Sequence, residues 1–187
     1  FAGSFRLLKD PVILLFFLAI VLLVGIDVGL NTTLPKFLME RTSMPLEEAG
    51  LATSLYFAAR TIGSFSGAIV LMKISGRKFY IASMVLGVLA MIVLIFVSHI
   101  WILFAMIFCL GLSVSNVFSI VFAAALRKEP QHANEVSGLL IMGVAGGAIV
   151  PPIMGVVSDS TGQTGALVVL LLAFGYLLLN AFRMQKE

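Results

Sequence analysis

An all-α membrane protein is the fold class this sequence predicts, and three observations carry it. Of its 187 residues, 60% are hydrophobic and 11% charged, with a mean hydropathy of +1.13. Soluble domains carry about 25% charged residues. Six apolar stretches, at about 11–38, 46–72, 79–97, 100–126, 133–157 and 165–182, come near the length a membrane helix needs. That length is about 20 residues. The few charges gather in the connections between these stretches.

The first span opens at Asp10-Pro11, an acid at the positive end of the helix dipole followed by a residue suited to the first turn. It then runs uncharged to Val24-Gly25-Ile26-Asp27-Val28-Gly29-Leu30-Asn31. A charged side chain at the centre of a membrane helix costs about 2.5–3.5 kcal/mol on insertion scales, so it faces a cavity, a partner or a solute path. Asp27 and Asn31 are four residues apart and share a helix face. Pro35 falls near the exit of the span.

Leu46-Glu47-Glu48-Ala49-Gly50 starts the second span with carboxylates in its first turn. Thr53, Tyr56, Arg60 and Ser64 then follow at spacings of three and four, a polar stripe on one face. Arg60 is the one cation deep within a span and the natural partner for Asp27. A planar guanidinium can hold a carboxylate at two points or exchange it for a solute; the plainer alternative is a permanent salt bridge. Gly63 and Gly67 have the small-xxx-small spacing that lets membrane helices approach closely. Lys73, Arg77 and Lys78 form a basic loop before the third span.

In the fourth span Ser113, Asn116 and Ser119 recur every three residues beside Phe118 and Phe122. Hydroxyl-rich solutes need several hydrogen bonds and an apolar face to stack on, which this helix offers; helix-to-helix hydrogen bonding is the alternative. The fifth span holds Gly143, Gly146, Gly147, Pro151 and Pro152. Proline removes backbone hydrogen bonds and glycine loosens the helix, so a bend or gating element is expected there.

Placing the N-terminus inside puts Arg6, Lys9, Lys73, Arg77, Lys78, Arg127, Lys128, Arg183 and Lys186 on the inner side, nine of twelve basic residues. Only Lys36 and Arg41 fall outside. This is a positive-inside signal with both termini cytoplasmic in a cell (inner) membrane. The pI of 9.3 therefore reflects topology rather than nucleic-acid binding. Cys109 is alone in an apolar run and can form no internal disulfide. His99 and His132 flank spans without a second ligand at metal spacing, and no strand precedes the glycines as a phosphate loop would require. Neither metal nor cofactor is expected, nor an enzyme: an intramembrane serine protease would need a serine and a histidine at one depth. The start, Phe1 to Asp10, lacks both an initiator Met and a signal-peptide cleavage pattern, so the chain is expected to begin within a longer protein.

A shift of 86 to 88 residues lays Gly25-Ile26-Asp27-Val28 over Gly111-Leu112-Ser113-Val114 and Glu48 over Glu135. Spans one to three thus echo spans four to six. Three is odd, so the second copy enters from the opposite side, an inverted repeat typical of secondary transporters.

Three segments together resemble the C-terminal half of a major facilitator superfamily transporter of the fucose permease, sugar:proton symporter type. They are Val24-Gly25-Ile26-Asp27-Val28-Gly29; Ala59-Arg60-Thr61-Ile62-Gly63-Ser64 with the loop Met72 to Lys78; and Ser137-Gly138-Leu139-Leu140-Ile141-Met142-Gly143 running on to Pro151. Departures include Ser119 where the family has Pro, Gly76 for Pro and Ala59 for Gly. The resemblance implies six helices forming half of a facilitator fold, an alternating-access mechanism, and a sugar-like solute with protons as partners. The rest of the body would be an N-terminal six-helix half or a second copy, within the lipid bilayer. Asp27, Asn31, Tyr56, Arg60, Asn116 and Ser119 are the candidates for the solute wall. Gly63, Gly67, Gly146, Gly147, Pro151, Lys73, Arg77 and Lys78 are candidates for packing and gating. An exporter of drugs or other metabolites, and a structural or homodimeric half-transporter, are the rival readings.

Overall fold

A computed structural model describes residues 7–184, all of them helix or short connection. Arg6 and Lys186 of the inner charge set lie outside the described residues. The elements are α1 (Pro11–Thr42), α2 (Leu46–Ala49), α3 (Leu51–Leu71), α4 (Gly76–Phe96), α5 (Ile100–Val114), α6 (Val117–Lys128), α7 (Ala133–Met142) and α8 (Gly146–Arg183). Among the described residues, five helical stretches are long and apolar enough to cross a membrane. The last, Pro130–Arg183, has 54 residues. Straight, it would measure about 80 Å at 1.5 Å per residue, against a hydrocarbon core of about 30 Å.

It is not straight. Gly162 has φ 72° and ψ −176°, a conformation open to glycine, and interrupts α8. Before Gly162, Val150 and Met154 lie against Gly25 and Gly29, so this arm runs in the direction of α1. After it, Leu170 meets Gly29 and the Tyr176 hydroxyl donates to the Leu15 carbonyl at 3.2 Å, so the chain runs back. The end of α1 secures this reversal. Glu40 accepts from the Gln163 backbone N–H at 3.0 Å, and Arg41 donates to the Ile95 carbonyl at 2.7 Å and to Thr164 at 3.4 Å. One acid and one cation thus satisfy groups that two helix ends leave open.

The helix starts and breaks have local causes. Asp10 caps α1 by accepting from the N–H groups of Val12 and Ile13 at 2.7 and 3.3 Å. Pro35 does not end α1; the helix continues to Thr42. Its missing N–H leaves the Asn31 carbonyl without its regular intrahelical donor. The predicted fourth span is two helices, because Ser113 and Ser115 bond back to the carbonyls of Leu110 and Leu112, each at 2.8 Å, and compete with the ladder. Between α7 and α8, Gly143–Ala145 tightens to a 3₁₀ turn.

α1 packs along both arms of α8, while α3 packs along α5. α4 lies against α5 and the returning arm, where Gly87 faces the Phe174 ring. α1 and α3 touch far less. α3 buries a stripe of small residues and Tyr56 and leaves its other faces open. The basic loop at Lys73, Arg77 and Lys78 sits at the same end as the start of α1 and the ends of α6 and α8. There Arg77 donates to the Phe182 carbonyl at 2.9 Å, a cation on the last turn of α8. Lys73 and Lys78 are exposed.

A candidate solute site at a partly exposed ion pair

Where α1 and α3 do meet, the contact is polar. Arg60 Nη1 donates to Asp27 Oδ2 in an ion pair, and the Tyr56 hydroxyl donates to Asp27 Oδ1 at 2.7 Å. Each carboxylate oxygen therefore has one protein donor. Tyr56 is fully buried, and its ring lies edge-on to Phe57 with centroids 5.5 Å apart. The charged pair is less covered: 23% of the Asp27 side chain and 37% of the Arg60 side chain remain exposed. A guanidinium has five N–H donors, and one is spent on Asp27 here, so Arg60 can hold the carboxylate and offer donors to a second molecule.

The surroundings are built by close approach. A Cβ at Gly25 would overlap Val150, and one at Gly146 would overlap the Val21 backbone carbonyl. This seam fixes the height of α1 against α8. Gly147 lies at the same height, with Val28 and Val24 side chains at 3.0 and 3.4 Å from a Cβ position. Pro151 and Pro152, inside α8, deprive the carbonyls of Gly147 and Ala148 of their regular donors. Gly147 stands beside Val24 and Val28, and Asn31 is one turn beyond Asp27 along α1, so freed acceptors occur on both helices near the height of the ion pair. Side-chain reasoning passes over them; the signal that finds them is a proline four residues downstream of each.

The polar stripe of α3 divides. Tyr56 and Arg60 go to Asp27, whereas Ser64 bonds to the Arg60 carbonyl at 3.0 Å and reaches the Ser115 carbonyl at 3.5 Å. Gly63 and Gly67 receive the α5–α6 break: a Cβ at Gly63 would stand 2.6 Å from Ser115 Oγ, and one at Gly67 would overlap the Asn116 carboxamide. Asn116 is buried and donates Nδ2 to the Gly63 carbonyl at 2.7 Å and to Ser115 Oγ at 3.0 Å. It is thus brought to α3 but not to the Asp27 cluster. Asn31 is half-buried one turn beyond Asp27, and Ser119 is exposed on α6 beside the stacked rings of Phe118 and Phe122, whose centroids are 5.8 Å apart. Among the described residues, no group of histidines, cysteines and acids is arranged to hold a metal.

An all-helical body with several apolar spans, glycine-paved seams and an ion pair inside the apolar zone defines a multi-pass membrane protein with a polar site between its helices. A profile of the Major Facilitator Superfamily matches residues 13–186, and the chain belongs to that family. It is 28% identical over 159 residues to a glucose/galactose transporter of Brucella abortus, covering 82% of this chain and 38% of the relative. Its fold matches the fucose:proton symporter FucP in the outward conformation with a TM-score of 0.90 at 21% identity, over 100% of this chain and 46% of the symporter. A second structure, of the E. coli fucose:proton symporter, gives the same TM-score at 20% identity. The chain spans less than half the length of each of these proteins.

Proposed function

We propose that this chain is the C-terminal half of a secondary transporter that moves a sugar or sugar-like solute, coupled to protons, by alternating access. The observation that carries the reading is the Asp27–Arg60 pair with Tyr56. It joins two helices that otherwise belong to different packed units, α1 with α8 and α3 with α5. A carboxylate and a guanidinium, both partly open at the depth of freed backbone carbonyls, suit a hydroxyl-bearing solute that needs donors and acceptors together. The solutes in the names of the relatives agree with this.

Six crossings follow in this reading, since the reversal at Gly162 divides the longest stretch in two. An inverted repeat is supported by paired close contacts. Gly25 abuts Val150 on α8, and Gly111, its counterpart after a shift of 86, abuts Ala59 and the Tyr56 carbonyl on α3. The wall of the site comprises Asp27, Asn31, Tyr56 and Arg60, with Ser119 and the Phe118–Phe122 stack contributed by the second repeat. Asn116 ties the helix break that precedes them to α3. The basic end faces the cytoplasm, and a second six-helix half completes the body and the solute chamber.

The test is uptake of labelled monosaccharides into energised vesicles by the full-length protein, with and without a proton uncoupler. Saturable uptake of a glucose- or galactose-like sugar, abolished by the uncoupler, is the expected result. No uptake across a sugar panel, together with efflux of an unrelated compound, would replace the sugar reading with the exporter one.

A further inference from the structure

A cavity lies away from the ion pair, at the basic end of the bundle. It measures about 470 Å³ and opens between the start of α1, the end of α6 and the end of α8. One side is hydrocarbon, from Val12, Leu15 and Phe16; the other carries Arg127, Lys128 and Arg183. These cations stand in the last turns of α6 and α8. Among the described residues, no acid lines the cleft. The nearby Asp10 is engaged in capping α1.

The polar groups at the back of the cleft are satisfied within the protein. Asn180 Nδ2 donates to the Leu15 carbonyl at 3.2 Å, and the Tyr80 hydroxyl donates to Asn180 Oδ1 at 3.4 Å. A guest therefore meets two surfaces: apolar side chains and a cationic rim, at the level where a span leaves the membrane. A small hydrophilic anion could use the rim alone. A molecule with both a phosphate and hydrocarbon uses both.

We propose that this cleft binds one anionic phospholipid, its phosphate at Lys128 and Arg183 and its upper chain against Val12, Leu15 and Phe16. Basic pockets between membrane helices suit such headgroups, each cation near the surface contributing about fivefold in affinity. The lipid bridges α1 and α8 at the basic end, where Tyr176 and Asn180 donate to the Leu15 carbonyl. The inference does not depend on which solute is carried.

The experiment is native mass spectrometry of the full-length protein in detergent, with phosphatidylglycerol and phosphatidylcholine added in parallel. The expected result is one phosphatidylglycerol retained in preference to phosphatidylcholine. Lys128→Gln and Arg183→Gln should each weaken that preference about fivefold, and about 25-fold together. Val12→Trp, which crowds the apolar wall and removes no charge, should lower retention as well. Should the double variant fail to give a monodisperse protein, the single Lys128→Gln variant carries the test. Equal retention of the two lipids, or an undiminished preference in folded variants, would overturn the proposal. So would displacement of the lipid by inorganic phosphate at equal concentration, which would mark a simple anion site.

Discussion

α1 is held on its two sides by different physics. Toward α8 it offers Gly25 and Gly29 to Val150 and Met154 and receives Gly146 against its own backbone, a dry seam with no charge in it. Toward α3 it offers one carboxylate to a tyrosine and an arginine. Packing of the first kind tolerates little change in volume, because close-packed interiors have low compressibility and transmit strain. A hydrogen-bonded ion pair has a second arrangement, since a solute or a proton can take over one partner. In the proposed transport reading, the α1–α8 seam is the rigid element and the α1–α3 contact the one that switches.

The largest effect should come from breaking the rigid side. Gly146→Leu would drive a side chain into the Val21 backbone, where no rotamer change can help. Overpacking a core costs about 1–3 kcal/mol when side chains can yield, and here the obstacle is main chain. We expect loss of the monodisperse peak in fluorescence-detected size-exclusion chromatography. Gly147→Ala, whose nearest neighbour is a methyl of the half-buried Val28 side chain at 3.0 Å and not main chain, should preserve that peak. Equal behaviour of the two variants would mean that the seam is not the rigid element.

Next in size is the ion pair. Removing one partner of a fully buried pair costs about 3–5 kcal/mol, whereas replacing both is often neutral. With 23% of the Asp27 side chain exposed, Arg60→Ala should lose less than this range. Asp27→Asn combined with Arg60→Gln should recover most of the lost Tm while leaving sugar uptake at background. Wild-type uptake in that double variant would reduce the pair to a structural clamp. Asp27→Asn alone should impair solute affinity more than it abolishes proton coupling, read as a rise in KM with uptake still sensitive to an uncoupler.

This pairing was legible in the sequence because the apolar spans hold so few charges: an acid and a cation deep in neighbouring helices have few other partners. Tyr56 was legible too, from its four-residue spacing to Arg60. Asn116 was not. A buried carboxamide serves a solute and a helix contact equally well, and its donation to Gly63 depends on how α3 meets the α5–α6 break. The first span was legible through Pro35 to about residue 38, but its last turns, to Thr42, were not, because Glu40 and Arg41 read as a polar exit and find their partners only where α1 meets the reversal of α8. The reversal between the last two apolar stretches was visible as a hydropathy gap, but not its fastening by Glu40 and Arg41, each 123 residues before its partner.

The smallest effect separates the two donors of Asp27. Tyr56→Phe keeps the buried ring and its edge contact with Phe57 and removes one hydrogen bond to a charged oxygen, an interaction of about 1.5–3 kcal/mol. Arg60 can move to cover both carboxylate oxygens, as a planar guanidinium does when it binds two-point, so the stability loss should stay below that of Arg60→Ala. If Tyr56 holds the carboxylate in place while Arg60 turns to the solute, the variant should show weakened sugar affinity with a nearly unchanged Tm. A Tm loss as large as that of Arg60→Ala, with KM unmoved, would make the tyrosine part of the rigid framework and shift the switchable contact to Arg60 alone.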